Sequence, residues 1–205
     1  MGLAATAAID DTGAMDTPLR PPRAPRLPDR DFTPFMESVR TAPADGGLVK
    51  HIVVRPAEDE RVVVDEAAID VVEGVVGDTW RVRGSRRTPD GLGHPDSQVT
   101  LMSTRVLAAI EPDPSRWPLA GDQLLVDADL SIETWPAGTR FGIGGAVLEV
   151  SAMPHTGCAK FSARFGSDAL RWINSPTGRE LRMRGMNATV IEGGTVRLGD
   201  AIRRR

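Results

Sequence analysis

His155, Cys158 and Lys160 sit together in the run His155-Thr156-Gly157-Cys158-Ala159-Lys160-Phe161, which holds the only cysteine of the chain, one of its two lysines and one of its three histidines. The thiolate is the form of cysteine that attacks electrophiles and binds soft metals, and cations or a helix N-terminus beside it favour that form. Lys160 and Arg164 are the cations this stretch provides. Phe161, Phe165, Ala169 and Ile173 recur every fourth residue, which predicts a helix over residues 159–173 broken at Gly166, with Cys158 at its start. Zinc is a poor match, because a structural site takes four clustered ligands and no second cysteine completes a set around His155 and Cys158. The competing reading of this thiol is a small buried hydrophobe, the common situation of a free cysteine.

A second set of residues could bind phosphate. Asp78 leads into Trp80-Arg81-Val82-Arg83-Gly84-Ser85-Arg86-Arg87, ahead of a Pro/Gly-rich loop that ends at His94. Arginine forks take phosphate bidentately, so Arg81, Arg83, Arg86 and Arg87 are candidates to hold the phosphate of a small cofactor, the alternative being a solvated loop. Gly-Asp occurs as Gly77-Asp78, Gly121-Asp122 and Gly199-Asp200 beside predicted strands, where turn chemistry accounts for most of the pattern and Asp78 is the member placed to do more. Asp127 and Asp129 fall on one strand face, toward solvent, and His51 and His94 read as surface or satisfied histidines. Gly142-Ile143-Gly144-Gly145 reads as a hairpin, since Val147 replaces the third glycine of a dinucleotide fingerprint and no helix follows. There is no Gly-x-Ser-x-Gly elbow and no Gly-Lys-Ser/Thr phosphate loop.

These side chains need a scaffold, and the scaffold reads as strands. Predicted strands run over 48–55, 61–64, 80–83, 99–102, 124–126, 140–143, 146–151, 188–191 and 195–198, with Gly144-Gly145 and Gly193-Gly194 at hairpin turns. Many short strands between glycine turns predict a mainly β protein, a closed or nearly closed barrel with a few short helices. The helices are residues 103–110, where Ser103 caps and Val106, Leu107 and Ile110 share a face, and the stretch after Cys158. No βαβ repeat supports a doubly wound nucleotide fold.

The whole chain of 205 residues, 40% hydrophobic and 26% charged, is long enough for one filled core, expected over residues 31–205. Residues 1–30 are poor in large hydrophobes and alternate prolines with arginines, which predicts a disordered tail. A net charge of −3 gives no footprint for nucleic acid, and Arg203-Arg204-Arg205 reads as a solvated terminus. No apolar run approaches the roughly 20 residues that span a bilayer, and the N-terminus lacks a secretory leader. A lone cysteine allows no internal disulfide, so the expectation is a cytoplasmic protein with no membrane partner, in which Asn187-Ala188-Thr189 has no meaning as a glycosylation acceptor.

Taken in order, Gly74-Val75-Val76-Gly77-Asp78, Gln98-Val99-Thr100-Leu101, Leu119-Ala120-Gly121-Asp122 and Pro136-Ala137-Gly138-Thr139-Arg140 are followed by Ala146-Val147-Leu148-Glu149-Val150 and the His155–Phe161 segment. Arg184-Gly185-Met186-Asn187-Ala188 and Gly194-Thr195-Val196-Arg197-Leu198-Gly199-Asp200 close the series. This order and spacing around one cysteine resembles the MOSC domain, named for the C-terminal domain of molybdenum cofactor sulfurases, over residues 46–202.

The resemblance implies a β-barrel whose cysteine either ligates the molybdenum of a bound pterin cofactor or carries persulfide sulfur, and Cys158 takes that place. Read from the residues themselves, which the resemblance permits without fixing them to positions, Cys158, Lys160 and His155 form the chemical group, and Asp78, Arg81, Arg83, Arg86, Arg87, Thr156 and Arg164 are the cofactor contacts. Thiolate is a soft ligand suited to either task. The activity implied is reduction of N-hydroxylated small molecules, or sulfur delivery to an acceptor for metal-sulfur cofactor assembly. The sequence has no aminotransferase-like part, so pyridoxal phosphate is not expected, and no ferredoxin-type cysteine cluster, so electrons or sulfur are expected from a separate donor protein.

Overall fold

Runs of Val, Ile and Leu after Gly47 form strands because branched side chains pack well on a pleated surface. The computed structural model describes residues 30–85 and 88–205. The tail reading of residues 1–29 therefore lies outside the described residues, while Arg30 donates to the Ile110 and Ala109 carbonyls. In chain order come α1 (Met36–Arg40), β1 (Leu48–Val54), β2 (Val62–Val64), β3 (Glu66–Asp70), β4 (Gly74–Val75), α2 (Trp80–Arg83), β5 (Val99–Ser103), α3 (Thr104–Ile110) and β6 (Leu124–Asp127). Then follow β7 (Arg140–Ile143), β8 (Ala146–Val150), α4 (Ala159–Phe165), α5 (Ser167–Ile173), α6 (Pro176–Glu180), β9 (Met186–Glu192), β10 (Gly194–Arg197) and β11 (Ile202–Arg204).

One eight-stranded sheet runs in the order β11-β7-β8-β9-β5-β6-β1-β2, and β10-β3-β4 form a second. Of the closed or nearly closed barrel with a few short helices expected from sequence, the structure shows the mainly β, curled form with its helices, but the large sheet stays open. The edge of β1 away from β6 is divided: Ile52–Val54 pair with β2, while residues 46–49 meet residues 199–202 through the Leu48–Ala201 bridge and four backbone hydrogen bonds. Inside the curl, Val49, Ile52, Leu101, Leu124, Trp135, Phe141, Leu148 and Met186 pack against Ile69, Val75 and Val196 of the small sheet.

The outer face is covered by helices. Val53, Met102 and Leu125 point outward into a second apolar layer with Val106, Leu107, Ile110, Phe161, Phe165, Ala169 and Ile173. Burying Phe161, at 2% exposure, stabilises the attachment of α4 by about 2 kcal/mol. β5 and β6 are parallel neighbours joined through α3, so the fold contains one βαβ crossover that the sequence reading did not anticipate.

Two further local readings change. Residues 80–83 form one turn of helix instead of a strand, because the Asp78 carboxylate accepts the Trp80 N–H at 2.7 Å and starts a turn. Gly193-Gly194 is a corner between sheets, since β10 pairs with β3 and not with β9. There a Cβ on Gly194 would stand 2.3 Å from the Gly145 carbonyl carbon, so only glycine admits this approach. Arg203 and Arg204 belong to a strand, β11, which pairs with β7.

Candidate functional site

Three strand ends meet at one corner of the sheet: Arg55 follows β1, Asp122 precedes β6 and Arg184 precedes β9. Gly121, at φ +90, turns the chain out of the 3-10 helix Pro114–Ala120 and presents Asp122 inward, fully buried. Arg184 Nη1 donates to Asp122 Oδ2 at 2.6 Å and Nη2 to the Ala120 carbonyl at 3.0 Å. Arg55 forks onto Asp78, with Nε to Oδ2 at 2.7 Å and Nη2 to Oδ1 at 2.8 Å, while its Nη1 reaches the Gly121 carbonyl at 2.7 Å. Two buried ion pairs are thus tied to the same Gly-Asp turn.

Gly185, at φ +105, sets Arg184 in place. A Cβ there would stand 2.0 Å from the Leu101 carbonyl oxygen, so the backbone must pass with no side chain. The outer face of the Arg184 guanidinium lies 5.1 Å from the Phe161 ring centroid, a cation–π contact that fastens the first turn of α4 against the buried pair.

The loop from β8 into α4 delivers the chemistry. His155 Nδ1 lies 3.5 Å from Asp122 Oδ1, with 16% of the histidine side chain exposed. Burial, then Arg184 and Arg55, hold His155 well below the ordinary imidazole value of 6.5, so it is neutral at pH 7. Burial raises Asp122, against the pull of Arg184. Cys158 stands at the N-cap of α4 with extended backbone and is exposed, which overturns the reading of this thiol as a buried core group. Gly166, at φ +93, breaks the helical stretch between α4 and α5 as the sequence predicts.

Guanidiniums gather beside the same turn. A Cβ on Gly121 would find Arg61 Nη2 at 3.8 Å and Arg164 Nη1 at 4.0 Å. Arg164 donates to the Leu119 carbonyl and to Asp59, and Lys160 Nζ pairs with Glu58 at 3.1 Å, so the loop between β1 and β2 reaches over α4. Desolvation, followed by Arg164 and Arg55, lowers Arg61, and its Nε is buried without a hydrogen-bond partner among the described residues. Arg83 is lowered by desolvation and by Arg55.

Of the residues expected at a site, the structure brings His155, Cys158, Lys160, Arg164 and Asp78 to this corner, with Arg83 near Arg55. Thr156 is exposed in the same loop. Arg81 is turned to Glu73 in the turn between β3 and β4, and Arg86 and Arg87 lie outside the described residues. Asp127 is paired with Arg105, and Asp129 accepts from Ser131, so neither faces the corner. Sequence reasoning missed Arg55, Arg61 and Arg184, and took Asp122 for turn chemistry alone. The available signal was a repeated Gly-Asp turn matched by arginines at strand ends.

The exposed thiol, the donors Arg184 Nε and Arg61 Nε, which have no partner among the described residues, and the surplus of guanidiniums fit an anionic group carrying a thiophilic metal. A group that brings its own dithiolene sulfurs needs one protein thiolate, and among the described residues there is no cluster of three His, Cys, Asp or Glu that would hold a bare ion.

No curated protein matches the sequence. Among solved structures, the YuaD protein from Bacillus subtilis superposes with a TM-score of 0.57 at 17% identity, covering 76% of this chain and 93% of its own. YiiM from Escherichia coli superposes with a TM-score of 0.51 at 21% identity, covering 77% of this chain and 69% of its own. At these identities the likeness is one of fold. The MOSC domain model matches residues 88–203, which is more than half of the 205 residues and includes Asp122, His155, Cys158 and Arg184, and so the chain belongs to the MOSC domain family.

Proposed function

We propose that Cys158 is the thiolate ligand through which this chain holds a molybdenum-pterin cofactor, and that the protein reduces N-hydroxylated small molecules with electrons from a separate donor protein. The observation that carries the reading is the exposed lone cysteine, held between His155 at the buried Asp122 and Phe161 on Arg184. Arg55, Arg61 and Arg164 around Gly121 supply the positive charge that a phosphate-bearing cofactor requires. When bound, the cofactor supplies two-electron chemistry at its metal.

The remaining work falls to side chains. Reduction of an N-hydroxylated amine breaks the N–O bond, takes up two electrons and two protons, and releases water. His155 is neutral at pH 7, and a proton on Nδ1 facing Asp122 leaves Nε2 free to accept and hand on one of those protons. Arg184 holds Asp122 in the orientation that fixes this tautomer. The test is turnover of an N-hydroxylated amine with a reduced viologen as electron donor: loss of turnover in Cys158→Ser is expected, and full turnover in that variant contradicts the proposal.

The exposure of Cys158 also favours a second reading, in which it accepts sulfane sulfur as a persulfide and delivers it to an acceptor. Incubation with a sulfur donor followed by mass spectrometry of the intact chain tests it, and an unmodified Cys158 counts against it.

A further inference from the structure

Asn174 ends α5, yet both of its amide atoms are spent on the residue before the cysteine. Its Oδ1 accepts the Gly157 N–H at 3.0 Å and its Nδ2 donates to the Gly157 carbonyl at 3.2 Å. The two residues are 17 apart in sequence, and the bend at Gly166 between α4 and α5 is what returns Asn174 to the loop. Gly157 is pressed onto the same turn of helix: an added Cβ would stand 2.5 Å from Leu170 Cδ1 and 2.9 Å from Ile173 Cδ1.

We propose that Asn174 is the positioning residue for the Cys158 thiol, clamping Gly157 so that His155 and Cys158 are held at fixed places on either side of it. This rests on the reading of Cys158 as the reactive group. The loop over residues 151–158 has no regular structure, and Gly157 has no backbone partner of its own in it, so the side-chain amide of Asn174 replaces the missing ladder. Upstream of the clamp, His155 is set at Asp122; downstream, Phe161 is set at Arg184. Without the clamp these two anchors remain, but Gly157 between them loses its two hydrogen bonds to the Asn174 side chain. The thiol at the start of α4 is then no longer held in one place relative to the guanidiniums around Gly121.

The charge preference of Cys158 toward alkylation reads this position. Iodoacetate and iodoacetamide differ in charge and little in size, and cations near a thiol raise the local concentration of the anionic reagent. The test uses the full chain made in a host that does not synthesise the pterin cofactor. The ratio of the iodoacetate to the iodoacetamide rate constant is expected to fall at least ~threefold in Asn174→Ala, because the thiol is no longer held in one place relative to the guanidiniums around Gly121. Val106→Ala, a core change in the same apolar layer, serves as the control: loss of stability alone opens the site to both reagents and leaves the ratio where it was. An unchanged ratio in Asn174→Ala, or an equal fall in Val106→Ala, overturns the proposal. The measurement needs no metal, so a chain that never binds molybdenum but shows the fall keeps Asn174 in its role while the cofactor reading fails.

Discussion

His155 Nδ1 stands 3.5 Å from Asp122 Oδ1, and neither atom has a hydrogen-bond partner among the described residues. The second oxygen of Asp122 is taken by Arg184, so the histidine meets the one open position of a buried carboxylate. A proton between these atoms satisfies both, and apo geometry of this length tightens when a ligand closes the site.

This relationship sets a pH dependence. His155 is held well below 6.5 in the folded protein, while in the unfolded chain it protonates near that value. As pH falls through 6.5 the unfolded chain takes up a proton that the folded protein refuses, so stability declines on the acid side of neutrality. Asp122 acts in the opposite sense: burial raises its value, so as pH falls the folded state takes up this proton before the unfolded chain does. Melting curves at about pH 7.5 and about pH 5.5 should therefore show a smaller drop for His155→Gln than for the parent protein. Equal drops would contradict a buried neutral His155.

Removing one partner of the Asp122–Arg184 pair leaves a buried charge alone. Asp122→Leu alone, or Arg184→Met alone, is expected to lower unfolding stability by about 3–5 kcal/mol in urea titration. The double variant Asp122→Leu, Arg184→Met removes both charges and should recover most of that loss. Additive losses in the double-mutant cycle would show that the two side chains do not depend on each other.

Two glycines with similar backbone separate close approach from conformation. Gly185 has φ +105 and would place a Cβ 2.0 Å from the Leu101 carbonyl oxygen; Gly138 has φ +84 and no neighbour within 4 Å. Gly138→Ala should lose about 1 kcal/mol from strain alone, and Gly185→Ala more than about 3 kcal/mol, because β5 and β9 must separate. Similar losses at the two positions would contradict the role given to Gly185 in seating Arg184.

Much of this architecture was legible because it is local. The β-branched runs located β1, β5, β6, β7 and β8 to within a residue or two, and the four-residue spacing of Phe161, Phe165, Ala169 and Ile173 with Gly166 between them marked both helices after Cys158. What escaped was set by distant partners. Trp80–Arg83 has the composition of a strand, but its first N–H is captured by Asp78, itself held by Arg55 from the end of β1. β3 and β11 are short and charged, and acquire their pairing from β10 and β7. The cysteine and histidine of the site were visible as a cluster in sequence, whereas Arg55, Arg184 and Asn174 reach the corner only through folding, from 103, 26 and 16 residues away along the chain.

Molybdenum bound per chain is the most direct measure of the central claim. Protein made in a host competent for molybdenum-cofactor synthesis, purified gently beside a molybdoprotein control from the same host, is assayed by elemental mass spectrometry together with Cys158→Ser. Near-stoichiometric molybdenum in the parent protein and its loss in the variant are the expected results. A fully loaded control beside a parent protein without molybdenum, or a Cys158→Ser variant that keeps it, would contradict Cys158 as the ligand.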